Sequence, residues 1–79
     1  MQKPKPTLSM PQPSARKVLA RNILAIRTKL GWSQEDVAHA GGFHRTFIGH
    51  VEQGSRNISL DNVERIAVAL GVPLVELFK

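Results

Sequence analysis

Glycines punctuate this chain so closely that no long element fits between them. Across residues 15–79 the breaks fall at Gly31, Gly41-Gly42, Gly54 and Gly71, leaving intervals of 8 to 16 residues. In the first interval Leu19, Ile23, Ile26 and Leu30 recur at spacings of four, three and four, which is one face of an amphipathic helix. Gly31 stops it. Ser33 then stands where an N-cap belongs, its hydroxyl placed to accept from the amide near Asp36, and residues 34–40 read as a short second helix with Val37 and Ala38 inward. Gly41-Gly42 supplies a left-handed turn that other residues adopt only with strain. A third helix follows over residues 45–53, with Ile48 and Val51 inward and Gly54 ending it. After a loop at residues 55–58, Ser59 caps a fourth helix whose inner face is Leu60, Val63, Ile66, Ala67 and Leu70. Pro73, a residue favoured at a first helical position, opens a fifth over residues 74–78. Nothing alternates with period two over strand length, so the expected fold class is all-α, a compact bundle of five helices. A domain of this size buries only about 60% of its surface and is marginally stable.

Residues 1–14 are of another kind. They hold four of the five prolines, Pro4, Pro6, Pro11 and Pro13, and few large apolar side chains, so neither a helix nor a sheet ladder runs through them. A disordered Pro-rich tail is expected, ahead of a single domain at residues 15–79. Lys3 and Lys5 precede no apolar h-region, so no signal peptide is expected. The longest apolar run, residues 66–70, is five residues against the roughly 18 needed to span a bilayer. No membrane partner is expected. Cysteine is absent, which removes disulfides, thiolate metal sites and a cysteine nucleophile and is compatible with a reducing cytoplasm, the expected location.

The net charge of +5 is local: Arg16, Lys17, Arg21, Arg27 and Lys29 fall within residues 16–30 with no acid, whereas residues 31–79 sum to −2. A concentrated basic stretch points to a polyanion. The second and third helices are joined by a turn of about four residues containing glycine, and the inward positions Ala38, Gly42, Ile48 and Val51 fix their relative orientation, which is the helix-turn-helix arrangement. The run Leu30-Gly31-Trp32-Ser33-Gln34-Glu35-Asp36-Val37-Ala38, then Gly41-Gly42, Arg45-Thr46-Phe47-Ile48 and Val51-Glu52-Gln53-Gly54 resembles the Cro and phage-repressor type of helix-turn-helix, the XRE family. The string from His44 to Ser59 is similar to the controller proteins of restriction-modification systems, whose pattern has an acidic or small polar residue at the position of His44 and usually a tyrosine at that of Phe47. The resemblance implies a lambda-repressor-like DNA-binding domain. It also implies an ion pair of Arg27 with Glu52 joining the first helix to the third as scaffolding, and a base contact at His50.

The residues point to DNA on their own account. Arg45 lies in the first turn of the third helix, where a cation faces the positive end of the macrodipole at a cost of up to about 1 kcal/mol. Over a major groove its planar fork bonds guanine O6 and N7, worth roughly 1 to 3 kcal/mol of discrimination. Thr46 and His50 are one turn apart, as are Arg45 and Gly49, so these four outline a base-reading face opposite Ile48 and Val51. Gly49 costs about 1 kcal/mol relative to alanine in a helix interior, which suggests close approach to a base edge or to another backbone. Ser33 and Gln34 at the start of the second helix, and Arg56 and Asn57 in the following loop, are the candidate phosphate contacts. Trp32 is expected to cover the core.

No catalytic residues, metal site or cofactor are expected. His39, His44 and His50 miss the i, i+4 spacing of a two-histidine site, and Glu35 and Asp36 open a helix whose dipole they complement. The same fold also serves antitoxins and protein-interaction adaptors, but an adaptor would show large apolar or acidic residues where this chain has Arg45, Thr46, Gly49 and His50. The expected function is therefore a sequence-specific double-stranded-DNA-binding transcription regulator of a prokaryote, without a small-molecule ligand or attached sensor domain. It is expected to act as a homodimer on a palindromic operator, because two recognition helices about 34 Å apart reach successive grooves. Leu74, Leu77 and Phe78 are the candidate dimer interface.

Overall fold

Serine hydroxyls start three of the four α-helices found among the described residues, 2–79, of the computed structural model. Ser14 accepts from the Lys17 amide at 3.1 Å and opens α1 (Ala15–Lys29). Ser33 accepts from the Asp36 amide at 3.0 Å while its own amide donates to Asp36 Oδ2 at 2.8 Å, a reciprocal capping box at the start of α2 (Gln34–Gly41). Ser59 accepts from the Asn62 amide at 3.1 Å and opens α4 (Leu60–Leu70). Each cap contributes on the order of 1 kcal/mol. Only α3 (Arg45–Glu52) begins without one, at His44.

The fifth helix expected from the sequence is instead a 3-10 turn, Leu74–Phe78. Five residues cannot repay the nucleation cost of an α-helix with i→i−4 bonds. Side chains of α1 satisfy the carbonyls of this segment: Asn22 Nδ2 donates to Leu77 O at 2.9 Å and Arg21 Nη2 to Lys79 O at 3.0 Å. The turn packs on α1 and α4, α1 also packs on α3, and α2 packs on both α3 and α4. Leu19, Ile23, Val37, Ala38, Ile48, Val51, Val63, Ile66, Ala67, Leu70 and Leu77 make one core at their centre, with Trp32 packed against its edge.

Four expectations of burial need correcting. Gly42, expected inward, is exposed where it caps the end of α2. Leu30 is 48% exposed, because it is the C-cap of α1, beyond the last helical turn that packs on the core. Leu60 is 76% exposed, because the buried stripe of α4 begins only at Val63. Leu77, expected at an interface between copies, is fully buried within this one. Residues 2–14 carry no helix or strand and are exposed throughout, and Met1, the first residue of the expected tail, lies outside the described residues.

The turn between α2 and α3 uses its two glycines for different reasons. Gly42 ends α2 in the left-handed region at φ 73°. Gly41 is still helical, but a Cβ there would lie 2.6 Å from the Phe43 ring. Gly42→Ala is expected to lower stability by about 1 to 2 kcal/mol through backbone strain, read as a fall in melting temperature without loss of helicity at low temperature.

Candidate nucleic-acid interface

Helix α3 turns one side to the core and another outward. Ile48 and Val51 are buried in the core, whereas Arg45 and Thr46 are exposed and Gly49 and His50 half-buried on the outward side. Those four, with Gln34, Glu52 and Gln53, line a shallow groove of about 370 Å³. Gln53 was not singled out from the sequence, because nothing in its local pattern distinguishes it from an ordinary helix-end residue.

Glu52 anchors the end of α3. Its Oε2 accepts from Arg27 Nε at 2.5 Å, and its Oε1 accepts from Arg27 Nη2 and from Gln34 Nε2, each at 3.0 Å. Arg27 Nη1 also donates to the Trp32 carbonyl at 3.0 Å. The two charged side chains keep only 14% and 7% of their surface exposed. The hydrogen bonding to the Glu52 carboxylate raises the Arg27 guanidinium above its ordinary pKa, desolvation opposes this, and the Glu52 charge adds to the rise. A cation with a raised pKa contributes its stabilisation fully below its unfolded value, so the pair does not weaken through deprotonation of Arg27 in the neutral or mildly alkaline range.

Of the remaining candidates, Gln34 lines the groove, whereas Ser33, Arg56 and Asn57 lie outside its lining. The Ser33 hydroxyl oxygen is occupied by its capping bond, and the Gln34 amide donates to Glu52, so both have part of their capacity already used. Asn57 Oδ1 accepts from Arg16, which ties the loop after α3 to the start of α1. Arg56 lies over the Phe47 ring, 5.2 Å from its centroid. At Gly49 an added Cβ would meet Gln34 Oε1 at 3.5 Å, an ordinary contact, so nothing within the chain requires glycine there.

A helix-turn-helix family model matches residues 23–77. The chain belongs to that family. A protein of Neisseria meningitidis serogroup B named as a hypothetical transcription factor is 45% identical over 62 residues, 78% of this chain but only 58% of the relative. The control protein C.BamHI of Bacillus amyloliquefaciens is 45% identical over 58 residues, covering 72% of each chain. Among solved structures, the hypothetical transcription factor NHTF from Neisseria superposes with a TM-score of 0.80 at 41% identity, covering 95% of this chain and 90% of that one. The restriction-modification controller protein C.Esp1396I, solved as a tetramer in complex with its natural 35 base-pair operator, gives a TM-score of 0.74 at 29% identity, covering 86% and 100%.

This helix-turn-helix chain also uses Arg65 in a way the sequence did not reveal. Its Nη2 donates to the carbonyls of Gly41 at 2.7 Å and Gly42 at 3.1 Å, satisfying the end of α2 from α4. Those partners lie 24 and 23 residues away along the chain, beyond any helical spacing rule. No helix among the described residues is long and apolar enough to cross a membrane.

Proposed function

We propose that this helix-turn-helix protein is a sequence-specific double-stranded-DNA-binding transcription regulator of the restriction-modification controller kind, acting as a homodimer on a two-fold related operator. The observation that carries the reading is the outward face of α3, where Arg45, Thr46, Gly49 and His50 share one open groove while Ile48 and Val51 lock the opposite face into the core. The operator complex of C.Esp1396I and the likeness to C.BamHI support it. An adaptor or antitoxin surface is not favoured, since that face offers no large apolar side chain and the one acidic residue at its edge, Glu52, is paired with Arg27.

In this reading Arg45 bonds a guanine edge, Thr46 meets a thymine methyl or a phosphate, His50 donates to a base, and Gly49 lets the helix approach closely. Ser33, Gln34, Arg56 and Asn57 contact phosphates on either flank. Leu74 and Phe78, each 41% exposed, and Val75, 59% exposed, form the apolar surface available to a second copy. Val75 was absent from the sequence-based interface, and Leu77 leaves it. The protein is proposed to work in the prokaryotic cytoplasm without catalysis or cofactor.

Selection of bound duplexes from a random pool tests the reading directly: a two-fold related sequence is expected, and an unpaired motif or no enrichment would overturn it. Arg45→Ala is expected to weaken operator binding by roughly 1 to 3 kcal/mol and relax preference at one symmetric base pair. Arg56→Ala should weaken all sequences alike and lower the salt slope by about one. Equal loss for Arg45→Ala on operator and random duplex would remove its base-reading role. Gly49→Ala is expected to raise the melting temperature, gaining up to about 1 kcal/mol of helix propensity, while lowering operator affinity. Unchanged affinity would mean that no base edge comes close to residue 49.

A further inference from the structure

Two of the three phenylalanines in the chain stack beside the turn between α2 and α3. The Phe43 and Phe47 ring centroids are 5.2 Å apart with planes 19° from parallel. Arg65 closes one end of the stack, its guanidinium carbon 4.3 Å from the Phe43 centroid, and Arg56 closes the other, 5.2 Å from the Phe47 centroid. The order is cation, ring, ring, cation, and it runs from α4 across the turn and the first turn of α3 to the loop beyond.

The two arginines are held differently. Arg65 is fixed by the Gly41 and Gly42 carbonyls and by Asn62 Oδ1 at 3.2 Å. Arg56 makes no hydrogen bond among the described residues, so its contact with the Phe47 ring locates it while its guanidinium donors stay free. Thr46 of the outward face and Arg56 share one concavity of about 440 Å³. Both rings are only half-buried against the edge of the core.

From this arrangement we infer that Arg65, Phe43 and Phe47 are positioning residues for DNA recognition: the ladder sets the first turn of α3 and holds Arg56 beside Thr46 for a DNA phosphate. The inference rests on the DNA-binding reading above and adds to it three residues that touch no nucleic acid themselves. A rigid ring beneath the guanidinium lowers the entropy lost when the phosphate contact forms. Arg65 acts at a distance, because any rotation of the Gly41-Gly42 turn displaces Arg45.

The test compares Phe47→Leu, Phe47→Tyr and Arg65→Lys with Arg56→Ala and Arg45→Ala, each measured for operator binding, random-duplex binding, salt dependence and thermal unfolding. Phe47→Leu should reduce operator affinity about three- to tenfold and lower the salt slope by about one, matching Arg56→Ala. Combining it with Arg56→Ala should add less than about a further twofold, and Phe47→Tyr, which keeps the ring, should bind as the parent does. Arg65→Lys, at an exposed position that keeps the charge but neither the planar stack on Phe43 nor a second nitrogen for Asn62, should lower preference at the Arg45 base pair while leaving random-duplex binding unchanged. Multiplicative losses for Phe47→Leu and Arg56→Ala, or losses that follow thermal stability alone, would overturn the ladder. So would an unfolded Phe47→Leu together with an Arg65→Lys that keeps full sequence preference. Arg45→Ala separates the two levels: selective loss of operator binding beside an inactive ladder removes the ladder alone, whereas equal loss on both duplexes removes the reading and the ladder with it.

Discussion

Glu52→Ala is expected to destabilise the chain by about 3 to 5 kcal/mol, enough to abolish a cooperative melting transition in a domain this small. The loss does not equal the strength of the ion pair. Removing the carboxylate leaves Arg27 with only 14% of its side chain exposed and strips it of two of its three hydrogen-bonded contacts. The Gln34 amide loses its partner as well. Because the cost comes from an uncompensated cation, replacing both partners, as Arg27→Met with Glu52→Leu, should recover most of the stability. Chemical denaturation of the two variants checks this. A Glu52→Ala protein that melts within about 1 kcal/mol of the parent would show that the pair behaves as a solvated surface contact.

Adjacent residues in the terminal turn are expected to answer the same substitution in opposite ways. Leu77→Asp places a carboxylate where the leucine has no exposure at all, so it combines a lost core side chain, about 2 to 5 kcal/mol for truncation alone, with the desolvation of a charge. It should unfold. Phe78→Asp alters a residue 41% exposed, so the helical signal and melting temperature should stay close to the parent's while the sedimenting species becomes a monomer and operator binding loses cooperativity. A folded Leu77→Asp would contradict the packing of the turn. A dimeric Phe78→Asp would move the interface between copies elsewhere, and a parent protein that is monomeric at micromolar concentration would remove the dimer altogether.

How far the sequence could be read followed the range of the interactions involved. Helix starts were legible because a serine hydroxyl caps an amide three residues ahead, as at Ser33 and Ser59, and helix ends because a left-handed glycine acts on the carbonyls just behind it, as at Gly42 and Gly71. The outward face of α3 was legible for the same reason. Once Ile48 and Val51 point inward, helical geometry alone places Arg45, Thr46, Gly49 and His50 on the other side. The fifth helix was misread because Pro73 and an apolar run resemble a helix start, while the length needed to repay nucleation was missing.

By itself, then, the sequence determined the all-α class, the limits of four helices and the split of α3 into a buried and an open face, all through contacts within one or two helical turns. Tertiary structure alone decided which apolar residues of the terminal turn close the core, since Leu77 and Phe78 differ only in where α1 and α4 happen to lie. It also decided that Arg65 would satisfy the carbonyls of Gly41 and Gly42 and that Phe43 and Phe47 would stack between two arginines. Those contacts join elements whose spacing along the chain carries no periodic signal, because the distance between their side chains is fixed by how whole helices pack and not by the geometry of any one of them.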